Sequence, residues 1–209
     1  MQMHDNHSNQ QNDERDVVEK SLKRPEIIFG QGANRWNACI DNYINFSQLA
    51  RYYLESANAL IERSVEHSSK LDVYIYSALF LYRHSIELLL KDLIWTSSYL
   101  LGKGKTFPKH HRLMELWETL KANAHSLLKS DFPMKKKELQ YIKTILVGFT
   151  KYDLKSDSFR YPFDKNMKRP HSDIHHINVK HLYEQLNLFH ENFETLSNMI
   201  ECLYDEHIS

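Results

Sequence analysis

Apolar residues recur at intervals of three and four through five stretches of this chain, and no stretch alternates with period two over a useful length. The first, about residues 34–66, carries Trp36, Ile40, Tyr43, Ala50, Tyr53, Ala57, Leu60 and Ile61, spacing that predicts an amphipathic helix. The second, about 71–99, is apolar on nearly every side, as a centrally buried helix is. Leu113, Met114, Leu116, Trp117 and Leu120 mark a third, and Leu139, Ile142, Ile145, Leu146 and Phe149 a fourth. The fifth runs through Val179, Leu182, Leu186, Phe189, Phe193, Leu196, Ile200 and Leu203. The expectation is an all-α bundle of four to five helices, with long central helices and an irregular loop before the last.

The helix breakers fall between these stretches. Pro25, Gly30 and Gly32 precede the first, Gly102, Gly104 and Pro108 follow the second, Pro133 divides the third from the fourth, and Pro162 and Pro170 precede the fifth. With only five glycines and five prolines in 209 residues, the tight turns of sandwiches, barrels and Rossmann folds are not provided for. Residues 1–33 read as a flexible polar tail and 34–209 as one helical domain. Residues 152–177 are a long irregular connection, and connections above about 12–15 residues are often functional. Met1 to Arg15 lacks the apolar core of a signal peptide. No run approaches the roughly 18 apolar residues of a membrane span. A cytoplasmic protein with no membrane partner is expected. Cys39 and Cys202 form no zinc spacing or disulfide framework.

Net charge is zero with histidine neutral, but the zero is a sum of unlike parts. Residues 103–180 hold 17 Lys or Arg against 8 Asp or Glu, a balance of +9, and the remainder balances at −9. No Lys or Arg follows Lys180. Lys103, Lys105, Lys109 and Arg112 stand together without an acid. The long connection adds Arg160, Lys165, Lys168 and Arg169, interleaved with Phe159, Tyr161 and Phe163. Cations beside aromatic rings suit phosphate contacts plus base stacking on single-stranded RNA. The alternative is that acidic and basic faces of one bundle neutralise each other or meet in an oligomer.

Arg83, His84 and Glu87 form a polar island in the most apolar stretch. Arg83 and Glu87 stand one helical turn apart on one face, so they read either as an internal polar network or as the floor of a site. The stretch Leu81-Tyr-Arg-His-Ser-Ile-Glu-Leu-Leu-Leu-Lys91, then His111-Arg-Leu-Met-Glu-Leu-Trp117, then Phe159-Arg-Tyr-Pro-Phe-Asp164 before a final helix, resembles bacterial HEPN-like helical proteins over about residues 40–205. That superfamily comprises all-α, usually dimeric bundles, many of them metal-independent ribonucleases of toxin–antitoxin and antiphage defence systems. The resemblance implies a homodimer or higher homo-oligomer, RNA as a partner, and a protein partner or antitoxin. Active members carry an Arg and, after four to six intervening residues, a His. Here Leu88, Leu89 and Leu90 occupy the positions where that His would follow Arg83, and the only match in spacing is Arg169 with His175 or His176.

Metal-independent RNA cleavage needs a base near the 2′-hydroxyl, an acid for the leaving oxygen and cations for the phosphorane; histidine suits the first two roles and arginine the last. Of the 13 histidines, His84, His110 or His111, and His175 or His176 are the candidate proton carriers, His84 and His175 foremost, with Arg83, Arg160 or Arg169 as the cations and Glu87 beside them as a catalytic candidate. Lys109, His111, Arg112, Tyr161, Lys168 and Arg169 are the candidate RNA contacts. No metal and no cofactor is expected: the Glu-x-x-His pairs of di-iron bundles are absent, as are phosphate-loop and dinucleotide motifs. Two functions remain open on the sequence, an RNA-directed ribonuclease and a catalytically silent binding or oligomerisation module.

Overall fold

The computed structural model describes residues 43–209 other than 155, 171 and 172, together with Ala38. The expected tail, and Trp36 and Ile40 of the first stretch, lie outside the described residues. The compact unit Tyr43–Ser209 holds five helices: α1 (Phe46–Glu66), α2 (Leu71–Leu100), α3 (Leu113–Leu128), α4 (Lys136–Tyr152) and α5 (Val179–Ile208). Single 3-10 turns precede α2 and follow α3, and no strand occurs among the described residues. The chain is an all-α bundle. Among the described residues no helix is long and apolar enough to cross a membrane.

Helix ends follow local chemistry. α1 begins at Phe46 because Asn45 Oδ1 accepts the Gln48 amide at 2.8 Å while Gln48 Oε1 accepts the Asn45 amide at 3.1 Å, a reciprocal cap. Tyr43, expected on the helical stripe, stands in the turn before it and is 92% exposed. α2 stops where Gly102 takes φ +70°: its amide donates to Tyr99 O, and that of Lys103 to Ser98 O. This paired closure needs a left-handed residue, and glycine takes that conformation without a Cβ clash. Asn178 Oδ1 caps α5 through the His181 amide at 3.0 Å.

α2 lies at the centre, packed on α1, α3 and α5. α1 approaches it through the small residues Ala50 and Ala57, both buried. On the opposite side Leu186, Phe189, Phe193, Leu196 and Ile200 form the buried stripe of α5, and Trp117 of α3 meets Phe193 edge-on at 5.7 Å. Two polar links cross this core. Tyr82 of α2 donates to Asn58 of α1 at 2.7 Å, and Asn58 donates in turn to Asn187 of α5 at 2.8 Å. Ser85 donates to Ala50 O at 2.6 Å, so its oxygen accepts from His190 Nε2 at 3.2 Å.

Burial holds His190 neutral, pushing its pKa from 6.5 down to about 4. The unfolded chain therefore binds a proton that the folded one refuses, and stability falls as pH drops from about 6.5 towards 4. The loss expected from this one group is about 3 kcal/mol. Urea unfolding at pH 7.5 and 4.5 measures it. His190→Gln, which keeps a donor for Ser85, is expected to flatten the difference by that amount; an unchanged pH dependence would sink the assignment.

Candidate functional site

Three charged residues sit one turn apart along α2, and the fold buries all of them: Arg83 is 0% exposed, Glu87 1% and Lys91 6%. Enclosed in the centre of the bundle, they must find partners inside. Arg83 Nη1 binds Glu87 Oε2 at 2.9 Å, and Lys91 Nζ binds Glu87 Oε1 at 2.8 Å. Arg83 Nε donates to Asp153 O at 3.1 Å and lies 3.1 Å from Asp153 Oδ2. Arg83 Nη2 donates to His111 O at 2.6 Å. His111 closes the ring through Nδ1, 2.7 Å from Glu87 Oε1.

Two cations face two carboxylates in this knot, so the burial is electrically balanced. Burial alone would raise the pKa of Glu87, but the hydrogen bonds from Lys91, His111 and Arg83 outweigh it and hold the carboxyl below its usual range. Glu87 is therefore an anion that can only accept. Asp153 is likewise committed: its Oδ1 accepts the amides of Asp157 at 2.8 Å and Ser158 at 2.9 Å. Ser156 between them is buried at φ +63°, the left-handed conformation that this tight turn imposes. One guanidinium thus ties α2 to the loop before α3 and to the start of the connection between α4 and α5.

The rest of that connection lies open. An open cleft of about 620 Å³ is walled by Arg160, Tyr161, Arg169 and His175, with Tyr76 of α2 and Phe159 among the other lining residues. The arginines are braced on rings: Arg160 lies 5.6 Å from the centroids of both Phe80 and Tyr161, and Arg169 lies 5.4 Å from Phe163. Asp164 Oδ1 accepts the Asn166 and Lys168 amides at 2.8 and 2.9 Å and folds the chain back between the two arginines. Cations with exposed aromatic faces in a concave, open site are groups that hold a phosphate and stack a base.

The sequence candidates therefore divide. Arg160, Tyr161, Arg169 and His175 share the cleft. Arg83 and Glu87 are enclosed, with their polar atoms bonded within the knot. Their arrangement is the internal network, one of the two readings left open on the sequence. His84 is half-buried between rings, edge-on to Tyr53 at 4.7 Å and stacked on Phe80 at 5.8 Å. Its pKa is lowered, chiefly by burial and further by Arg83 and Lys91, against the opposing pull of Glu87. Arg112 pairs with Glu115 at 2.7 Å. Lys109 and Lys168 are exposed and do not wall the cleft. His176 does not wall the cleft but lines two adjoining hollows, one of about 490 Å³ with residues of α4 and α5 and one of about 390 Å³ that it shares with His175.

Asp153, Lys91, Tyr76 and Phe80 complete these arrangements without having been singled out on the sequence. Lys91 was within reach, since it follows Glu87 by one turn. Asp153 had no signal: an acid at a helix end is ordinary until the fold brings Arg83 to it. Among the described residues no three His, Cys, Asp or Glu side chains gather as a metal-binding group.

Arg83→Ala would leave Glu87 and Asp153 short of their shared cation in a buried site, a loss of about 3–5 kcal/mol. Arg83→Lys keeps the charge but not the fork, and is expected to recover only part of it. Urea unfolding followed by circular dichroism checks both, and a lysine variant as stable as the parent would refute the fork. No protein-family model, curated protein or solved structure matches this chain.

Proposed function

We propose that this chain is an RNA-directed effector of the HEPN-like kind, binding single-stranded RNA in the cleft of the 153–178 connection and cleaving it without metal. The observation that carries the reading is the convergence of Arg160, Arg169, Tyr161 and His175 on one open cleft, rigidly tethered at Asp153. Arginine forks suit phosphate oxygens, Tyr161 at 58% exposure offers a ring to a base, and His175 adds an imidazole to the cleft wall. A duplex has no unstacked base to offer those rings, so a single strand is the substrate class. The reading extends to a cytoplasmic homodimer with an antitoxin or other protein partner, in which the basic connection and α5, acidic and without Lys or Arg after Lys180, supply complementary surfaces.

A second reading has its own observation. The Arg83 and Glu87 that carry the HEPN resemblance are enclosed, as a silent binding or oligomerisation module would have them.

Binding is tested by fluorescence anisotropy with a labelled mixed-sequence oligoribonucleotide. Arg160→Ala and Arg169→Ala are each expected to weaken it about tenfold and to lower the salt slope by about one, the signature of one phosphate contact. The silent module predicts no RNA binding by the parent and no change in either variant.

A further inference from the structure

The cleft does not end at its two arginines. Four of its lining residues, Tyr76, Phe159, Ile174 and His175, also line the hollow of about 390 Å³, so the two spaces share a wall. That volume falls in the range of pockets that take a small organic group. The hollow is lined mostly by aliphatic and aromatic side chains and carries a single carboxylate, Asp72.

Asp72, Tyr76 and Phe80 recur at four-residue intervals and stand one turn apart along one face of α2. Phe80 braces Arg160, 5.6 Å from its centroid. Tyr76, 55% exposed, stands at the wall common to cleft and hollow. Asp72 is exposed inside the hollow, and its carboxylate takes no hydrogen bond or ion pair from the described residues. Cation, ring and acceptor thus follow one another along a single helix. A nucleotide presents its phosphate, the face of its base and its pairing edge in the same order.

The apolar walls admit any base, but the carboxylate does not, because it offers acceptors only. Guanine sets two donors side by side on its pairing edge, N1–H and the exocyclic amine, and these meet both oxygens of one carboxylate. Adenine and cytosine place a bare ring nitrogen beside the amine, so a lone pair would face the second oxygen. Uracil flanks its one N–H with two carbonyls. A polar site of this kind selects by leaving the wrong base unpaired.

We propose that the hollow beside the cleft is a guanine pocket, in which Tyr76 stacks the base and Asp72 accepts from its N1–H and its exocyclic amine. This rests on the RNA-directed reading given above and names its base specificity. Arg160 holds the phosphate at the cleft, and the base turns over the shared wall into the hollow.

The test uses the full chain and fluorescein-labelled oligouridylates that carry one central guanosine, inosine or adenosine, followed by anisotropy. The guanosine strand is expected to bind about tenfold or more tighter than the adenosine strand, with inosine, which lacks the exocyclic amine, between them. Asp72→Ala and Asp72→Asn are both expected to erase this order. Losing a negative charge strengthens binding of every strand alike, so the ratio between strands, not the affinity, reads the base contact. Equal binding of the three strands by the parent, or a guanosine preference that survives in either variant, overturns the pocket and leaves the RNA-directed reading standing. Inosine bound as tightly as guanosine refutes the two-bond contact. Absence of RNA binding by the parent overturns both readings.

Discussion

The Arg83 guanidinium is the constraint on which the arrangement of this protein depends. It has no exposed surface, and its donors reach a residue on its own helix, a loop carbonyl before α3 and the residue that follows α4. An arginine cannot shed its proton to escape burial, so the protein must bring acceptors to it. Glu87 comes at no entropic distance, one turn along. Asp153 and His111 arrive only with the loops that carry them, and those loops are fixed in place as a result. The charge that costs most to bury therefore decides where the least regular parts of the chain can lie.

The anchored residues of the connection and its exposed ones are therefore distinct sets. The connection after α4 is closed and buried at Asp153 and Ser156, then becomes exposed from Arg160 onward. Its first residues are anchored by the ion pair and by two backbone amides on one carboxylate. Its later residues are propped by rings, with Arg160 over Phe80 and Arg169 over Phe163. A segment built this way presents cations and aromatic faces whose freedom is already restricted by their neighbours. Lys91 and His111 complete Glu87 on the other side, so Arg83 and Glu87 hold the loop before α3 while Arg83 also holds the connection after α4.

Much of the helical plan was legible along the chain because a bundle writes its burial into a local period. The α5 stripe from Leu186 to Ile200 could be read without knowing what it meets. Gly102 marked the end of α2 because only a left-handed residue closes that turn cheaply. The start of α1 was less legible: Tyr43 continues the spacing, but the reciprocal cap of Asn45 and Gln48 opens the helix at Phe46, and periodicity carries no information about caps. The Arg83–Glu87 pair was legible as a pair, since helical spacing alone brings the two together. Its enclosure was not.

By itself the sequence determined the all-helical class, the centrality of α2 and the segregation of positive charge into the middle of the chain. These depend on contacts within a few residues or on simple addition. Only the tertiary structure decided that Asp153 answers Arg83 across 70 positions and that His111 turns to Glu87 across 24. It likewise decided that Arg160 and His175 wall one cleft while Arg83 is enclosed. Such pairings follow from how helices cross and where loops close, and a linear pattern of apolar and polar residues leaves those angles and closures free.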